Sequence, residues 1–185
     1  MDYSKNLSEK IRSKKAIVGI IGIGYVGTEL AKGACDAGFK VIGFTRNDVK
    51  AATINRQKID NFTATSDIKR LSKCDVICIC VPTPIHEDKS PNLEPLIDSL
   101  QKTAKHLRKG SIVIIESTIA PGTTRNFALP LLKTSGLIPE KDFFLSFSPE
   151  RVDPGNEKFN IFNTPKVVSG LGINSLSLAK EFYES

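Results

Sequence analysis

No apolar run in this chain is long enough to cross a bilayer, and the amino-terminal stretch MDYSKNLSEKIRSKK is polar and basic with no apolar centre of its own. The first absence argues against a membrane span and the second against a secretory signal, so residues 1–14 read as a solvated, frayed leader and no membrane partner is expected. Cysteine is sparse: Cys35, Cys74, Cys78 and Cys80 are the four present, and none forms a C-x-x-C pair. With no disulfide framework and no zinc-ligand spacing, the chain points to a reducing compartment, the cytoplasm, and to no metal. Blocks of like charge are missing too. There are 26 Lys and Arg against 20 Asp and Glu, a net charge of +6. The basic residues are scattered, so nucleic acid is not an expected partner. A mild positive excess suits a small phosphate-bearing ligand. Internal repeats and low-complexity linkers are also absent.

What is present is the material of one domain of ordinary size: 185 residues, 40% of them hydrophobic. Apolar runs at 16–22, 40–44, 75–81, 111–116, 143–147 and 166–170 read as six strands, the first and third buried on both faces. Between them lie helical patterns. The first covers about 25–37 with Gly38 as its stop; short ones follow over 48–55 and from Ser66 to Leu71. A longer one, 93–107, has Asn92 as N-cap. Another starts at Thr123 or Thr124 and is limited by Pro130, and Asn174 caps a last helix. Strand and helix alternate throughout. The expected class is α/β, a doubly wound, mostly parallel sheet of about six strands with helices on both faces.

The stretch GIIGIGYVGTEL carries Gly22, Gly24 and Gly27, a G-x-G-x-x-G. Its context is the one a dinucleotide site needs: a strand ends at Gly22, a helix begins near Tyr25, and a second strand follows. Gly22 permits the tight turn, Gly24 lets a pyrophosphate approach the backbone, and Gly27 lets the helix pack on the strand. The helix then turns its free N–H groups and the positive end of its dipole toward the phosphates. In an open α/β sheet the ligand lies outside the carboxyl ends of the strands. The segments found there are VPTP (81–84), ESTIAPGTT (116–124) and SPERVDPG (148–155). Singly, each reads as a capped turn. His86 reads as a solvated loop residue, and His106, late on a helix, as a partner of its dipole.

Taken together, GIGYVG, CVPTP, SPNL, ESTIAPGTT and SPERVDPG, in this order from about Lys15 to the end, resemble the nucleotide-sugar dehydrogenases, the UDP-glucose/GDP-mannose 6-dehydrogenase family. Among these the chain looks most like the bacterial UDP-N-acetylhexosamine 6-dehydrogenases. The resemblance implies a Rossmann-type domain over 15–185 that binds NAD. It also implies a nucleotide sugar, of the UDP class, as substrate of the complete enzyme, whose C6 hydroxyl is oxidised to a carboxylate in two hydride transfers. Carried over by position, Tyr25 and Val26 meet the pyrophosphate beside Gly22, Gly24 and Gly27. Val81, Pro82, Thr83 and Thr118 line the nicotinamide side, and Thr118 and Glu150 hold or activate a water. A carboxylate on a water is sound general-base chemistry.

Three departures from the family pattern stand out. Thr45, followed by Arg46, occupies the place of the acid that binds the adenosine ribose, which opens the site to NADP; Lys50 matches a position that usually holds Lys or Arg. The stretch from INRQKIDNF to CDV is shorter than usual. None of the four cysteines has the setting of the family's nucleophile, which lies in a downstream segment after a long central helix. All four are therefore expected to be structural. The chain is expected to be the amino-terminal part of a longer enzyme, inactive alone and dimeric only with that helix.

Overall fold

The computed structural model describes residues 2–151 and 163–185. Seven strands form one sheet in the order β3-β2-β1-β4-β5-β6-β7. They are β1 (Ile17–Ile21), β2 (Lys40–Phe44), β3 (Phe62–Thr65), β4 (Val76–Ile79), β5 (Ser111–Ile115), β6 (Phe143–Phe147) and β7 (Ser169–Gly170). Every neighbouring pair is parallel except β6 and β7. The strand order reverses direction between β1 and β4, which opens a crevice at their carboxyl ends.

Side chains on successive strand positions point to opposite faces, and the apolar runs bury both. Val18, Ile20, Val76, Cys78, Ile112 and Ile114 face α1 (Tyr3–Arg12), α2 (Tyr25–Asp36) and α6 (Ile173–Tyr183). Ile21, Ile77, Ile79, Val113 and Ile115 face α4 (Glu94–His106) and α5 (Leu129–Lys133). The remaining helix, α3 (Asp48–Asn55), packs beside the β2–β3 edge. The doubly wound class is therefore as expected, with one strand more.

Several local expectations need correction. Residues 3–12 are not a frayed leader. Asp2 caps α1 by accepting from Ser4 and Lys5 backbone N–H groups, and Leu7 and Ile11 are buried at 1% and 0% exposure. The signal was a Tyr3–Leu7–Ile11 stripe at i, i+4, i+8 behind a capping aspartate. The strand at Phe62–Thr65 is new; at four residues with one fully buried side chain it offers little pattern. The run at 166–170 is a strand only at Ser169–Gly170. Asp67, not Ser66, caps a 3₁₀ turn over Ile68–Lys73. Leu93 is the N-cap residue of α4, and Asn92 accepts from Glu94 N–H just outside it. Gly172 precedes α6, whose first turn holds Asn174 bonded to Glu140. Pro130 falls inside α5, and the missing N–H is met by a widened π-type turn over Thr124–Ala128.

A candidate dinucleotide site at the carboxyl edge of the sheet

The β1–α2 turn is built from its glycines. Gly22 has φ of +97°, and a Cβ there would lie 2.6 Å from the Cys80 carbonyl oxygen. Glycine alone lets the end of β1 pass this close to the end of β4. At Gly27 a Cβ would lie 2.1 Å from the Gly22 carbonyl oxygen, so its absence allows α2 to close on the loop. Gly24 is different. A Cβ there would meet nothing within 4 Å, so the backbone opens onto empty space. Gly24 is also the N-cap residue of the twelve-residue α2, and no side chain caps its first N–H groups. An anion placed above Gly24 would meet those donors and the dipole. The residues present fit a dinucleotide pyrophosphate. Tyr25 is exposed beside this space and Val26 half-buried.

The neighbouring strand ends are tied to one another. Ser117 Oγ donates to the Val81 carbonyl at 2.7 Å, and Glu116 N–H donates to the Ile79 carbonyl at 2.9 Å. Pro82 and Thr118 are exposed and Thr83 is half-buried. Ser148 N–H donates to the Ile115 carbonyl and brings Glu150 alongside. The structure thus gathers Gly22–Gly27, Val81–Thr83, Thr118 and Glu150 at the carboxyl ends of β1, β4, β5 and β6, which are adjacent in the sheet. Val152–Gly155 of SPERVDPG lie outside the described residues.

Thr45, Arg46 and Lys50 stand on the other side of β1, at the end of β2 and on α3. The Thr45 hydroxyl donates to the Asn47 carbonyl at 2.8 Å. Its proton is spent, and it can only accept. Arg46 is exposed. Lys50 lines, with Thr28 and Lys32, a cleft of about 170 Å³ between α2 and α3. A larger cavity of about 680 Å³ lies between α2, α6 and residues 164–168; Thr164, Lys166 and Tyr183 line it, and none of Gly22–Gly27 does. Backbone geometry, rather than cavity size, marks the site.

One cluster here was not foreseen. Glu116 is 1% exposed, and its carboxylate accepts from Lys166 Nζ at 2.8 Å and from the Tyr183 hydroxyl. The same Lys166 Nζ donates to Glu150 at 3.5 Å. Burial raises the Glu116 carboxyl above its usual range, with Lys166 pulling against it. Burial disfavours the Lys166 charge as well, yet Glu116 opposite holds it above the usual lysine range. Close by, the buried Thr164 Oγ1 lacks a hydrogen bond among the described residues, while Ser148 Oγ is within reach of the Tyr183 hydroxyl. Such an orphan suits a ligand's polar group. Lys166 is fifty residues from Glu116, and no spacing rule connects them; the one visible hint is a lone lysine opening the apolar run KVVSG.

The cysteines are poor nucleophiles where they stand. Burial pushes the Cys35 thiol to about 11 and Cys74 to about 12. Burial also raises Cys78 and Cys80 well above the usual thiol range. Among the described residues there is no cluster of metal-ligating side chains, and no helix is long and apolar enough to cross a membrane.

Comparison with known proteins gives a consistent picture. Residues 57–185 match the UDP-glucose/GDP-mannose dehydrogenase family, NAD binding domain. Residues 2–105, which include the glycine turn, also match the D-isomer specific 2-hydroxyacid dehydrogenase, NAD binding domain. The UDP-N-acetyl-D-glucosamine 6-dehydrogenase of Pseudomonas aeruginosa is 39% identical over 83% of this chain and 39% of its own length. That of Salmonella typhi is 34% identical over 90% of this chain and 42% of its own. Among solved structures, NDP-N-acetyl-D-galactosaminuronic acid dehydrogenase from Methanosarcina mazei Go1 superposes with a TM-score of 0.89. It is 32% identical, over 100% of this chain and 44% of that one. The chain therefore spans well under half the length of these relatives.

Proposed function

The chain belongs to the UDP-glucose/GDP-mannose dehydrogenase family, and from that premise we propose that it is the NAD-binding part of a nucleotide-sugar 6-dehydrogenase acting on a UDP-N-acetylhexosamine. The observation that carries the reading is the empty space above Gly24 at an uncapped helix N-terminus, set at the point where the strand order reverses. Gly22, Gly24, Tyr25, Val26 and Gly27 hold the pyrophosphate. Thr45 accepts from the adenosine ribose, with Arg46 and Lys50 beside it. Val81, Pro82, Thr83 and Thr118 line the nicotinamide side. NAD supplies the hydride acceptor when bound; the protein's own part is to bind, orient and handle the proton. Glu150, with Thr118, holds the water and takes its proton. The activities of the relatives support the substrate class. Four free thiols support a reducing compartment, the cytoplasm. A dimer is proposed only where a further helix is supplied.

Titration of the 185-residue chain with NAD, followed by addition of UDP-N-acetyl-D-glucosamine, tests this. Saturable binding of one NAD and no NADH formation are expected, because no cysteine here is set up as a nucleophile. NADH production by this chain, or no binding of NAD, would overturn the reading.

A further inference from the structure

From the cluster at the carboxyl edge, we propose that the buried Glu116–Lys166 pair, standing behind Glu150, sets the charge beside the nicotinamide ring and with it the preference of the site for oxidised over reduced cofactor. The inference rests on the reading that Glu150 lies at the nicotinamide end.

One ammonium serves two carboxylates. It lies 2.8 Å from Glu116 and 3.5 Å from Glu150, so with both ionised the trio carries one net negative charge. The Lys166 and Glu116 side chains are 16% and 0% exposed, and Glu150 is 12% exposed, so water screens this charge weakly. The trio is felt at the end of β4, where Glu116, Lys166 and Glu150 all act on the Cys80 thiol. The nicotinamide ring is positively charged in NAD and neutral in NADH. A net negative group beside it therefore favours the oxidised form, and removing one unit of that charge weakens the preference. Among the described residues, the other titratable groups acting on the cluster are Tyr183, Cys78 and Cys80. All three are held neutral by burial, well above their usual ranges.

The competing account makes Glu116 and Lys166 a strut that joins α6, through Tyr183, to the sheet. A strut would alter NAD and NADH binding alike. Dissociation constants of the 185-residue chain for NADH, by fluorescence, and for NAD, by competition, separate the two. In Glu116→Gln, which keeps the shape and an acceptor for Tyr183, the NAD-to-NADH affinity ratio falls about five- to tenfold. In Lys166→Met the orphaned Glu116 carboxyl keeps its proton to higher pH. The ratio therefore matches wild type in acid and rises above it as the pH increases. Lys166→Arg restores the wild-type ratio. Glu150→Gln is the control for the site: it lowers the ratio if Glu150 faces the ring. Should Glu150→Gln lower the ratio while Glu116→Gln and Lys166→Met leave it unchanged, the inference is overturned and the site reading stands. No change in any of the three would overturn the placement of Glu150 as well. Equal loss of both affinities would make the pair a strut. If Lys166→Met does not fold, the isosteric Glu116→Gln carries the test.

Discussion

Asp75 and Glu116 are buried carboxylates at opposite edges of one sheet, Asp75 just before β4 and Glu116 just after β5. Asp75 accepts from the Ile17 N–H at 2.9 Å, from Lys10 Nζ at 2.8 Å and from the Arg108 guanidinium. Burial alone would raise its carboxyl, but these three donors outweigh burial and lower it below the usual aspartate range. Glu116 has one ammonium, shared with Glu150, and a phenol, and burial wins. The amino edge is closed: its carboxylate takes three donors, and Lys10 ties α1 to it. The carboxyl edge is left open, with an uncapped helix, empty space over Gly24, a buried Thr164 hydroxyl with no hydrogen bond among the described residues, and one ammonium shared by two carboxylates. Groups left unsatisfied at one edge only are what a ligand site requires. The amino edge should therefore govern stability and the carboxyl edge binding.

The sharpest way to break this division at the amino edge is through α1. Ile11→Ala removes a fully buried side chain and is expected to lower unfolding free energy by about 3 kcal/mol while NAD affinity stays unchanged. Chemical denaturation with a parallel NAD titration measures both. A stability loss within error would return residues 3–12 to the status of a leader.

Asp75→Asn comes next. It strands the cations of Lys10 and Arg108, which are about a third exposed, so a loss of about 2 kcal/mol is expected rather than the larger cost of a fully buried pair. The sign of its pH dependence follows from the lowered carboxyl. Folding holds Asp75 ionised at a pH where the unfolded chain, near 3.9, takes up a proton. Its stabilisation is therefore present above that value and is lost as the pH falls below it. Denaturation curves of wild type and variant should converge in acid and separate above pH about 4. A gap independent of pH would show that packing, not charge, is what Asp75 provides.

The smallest expected effect lies at the far end of the open edge. No carboxylate stands at Thr45 to repel a 2′-phosphate, and Arg46 is exposed beside it. Thr45 Oγ1, with its proton committed to Asn47, can accept from a ribose hydroxyl but cannot donate to a phosphate. NAD is therefore favoured over NADP, by no more than about tenfold, or about 1.4 kcal/mol. Competitive titration of the two cofactors decides it. A preference of a hundredfold or more would mean that another group performs the missing acid's role.

What the sequence disclosed follows the same division. The apolar runs of β1, β2, β4, β5 and β6 and the glycine turn are local patterns, and each is where its residues alone place it. Asp48–Asn55 is a helix with the expected bounds. The edge strands β3 and β7 were illegible or overdrawn, because two to four residues with one pleated face half in water carry almost no periodicity. The helix α1 was missed, because its mean polarity hid the Tyr3–Leu7–Ile11 stripe. The Glu116–Lys166–Glu150 cluster was beyond reach in another sense. Its members are scattered over fifty residues and meet only because α6 and the strand ends converge.

The central claim, that the carboxyl edge of this chain is its NAD site, is tested most directly by Gly24→Val. The Gly24 backbone is extended, with φ of −103°, and nothing lies within 4 Å of a Cβ there. The substitution should therefore leave the melting curve as in wild type, while its side chain fills the space where the pyrophosphate meets the helix. A loss of NAD affinity of at least about a hundredfold in a protein of unchanged stability is the predicted result. Unchanged affinity in the folded variant would contradict the account and place the cofactor elsewhere.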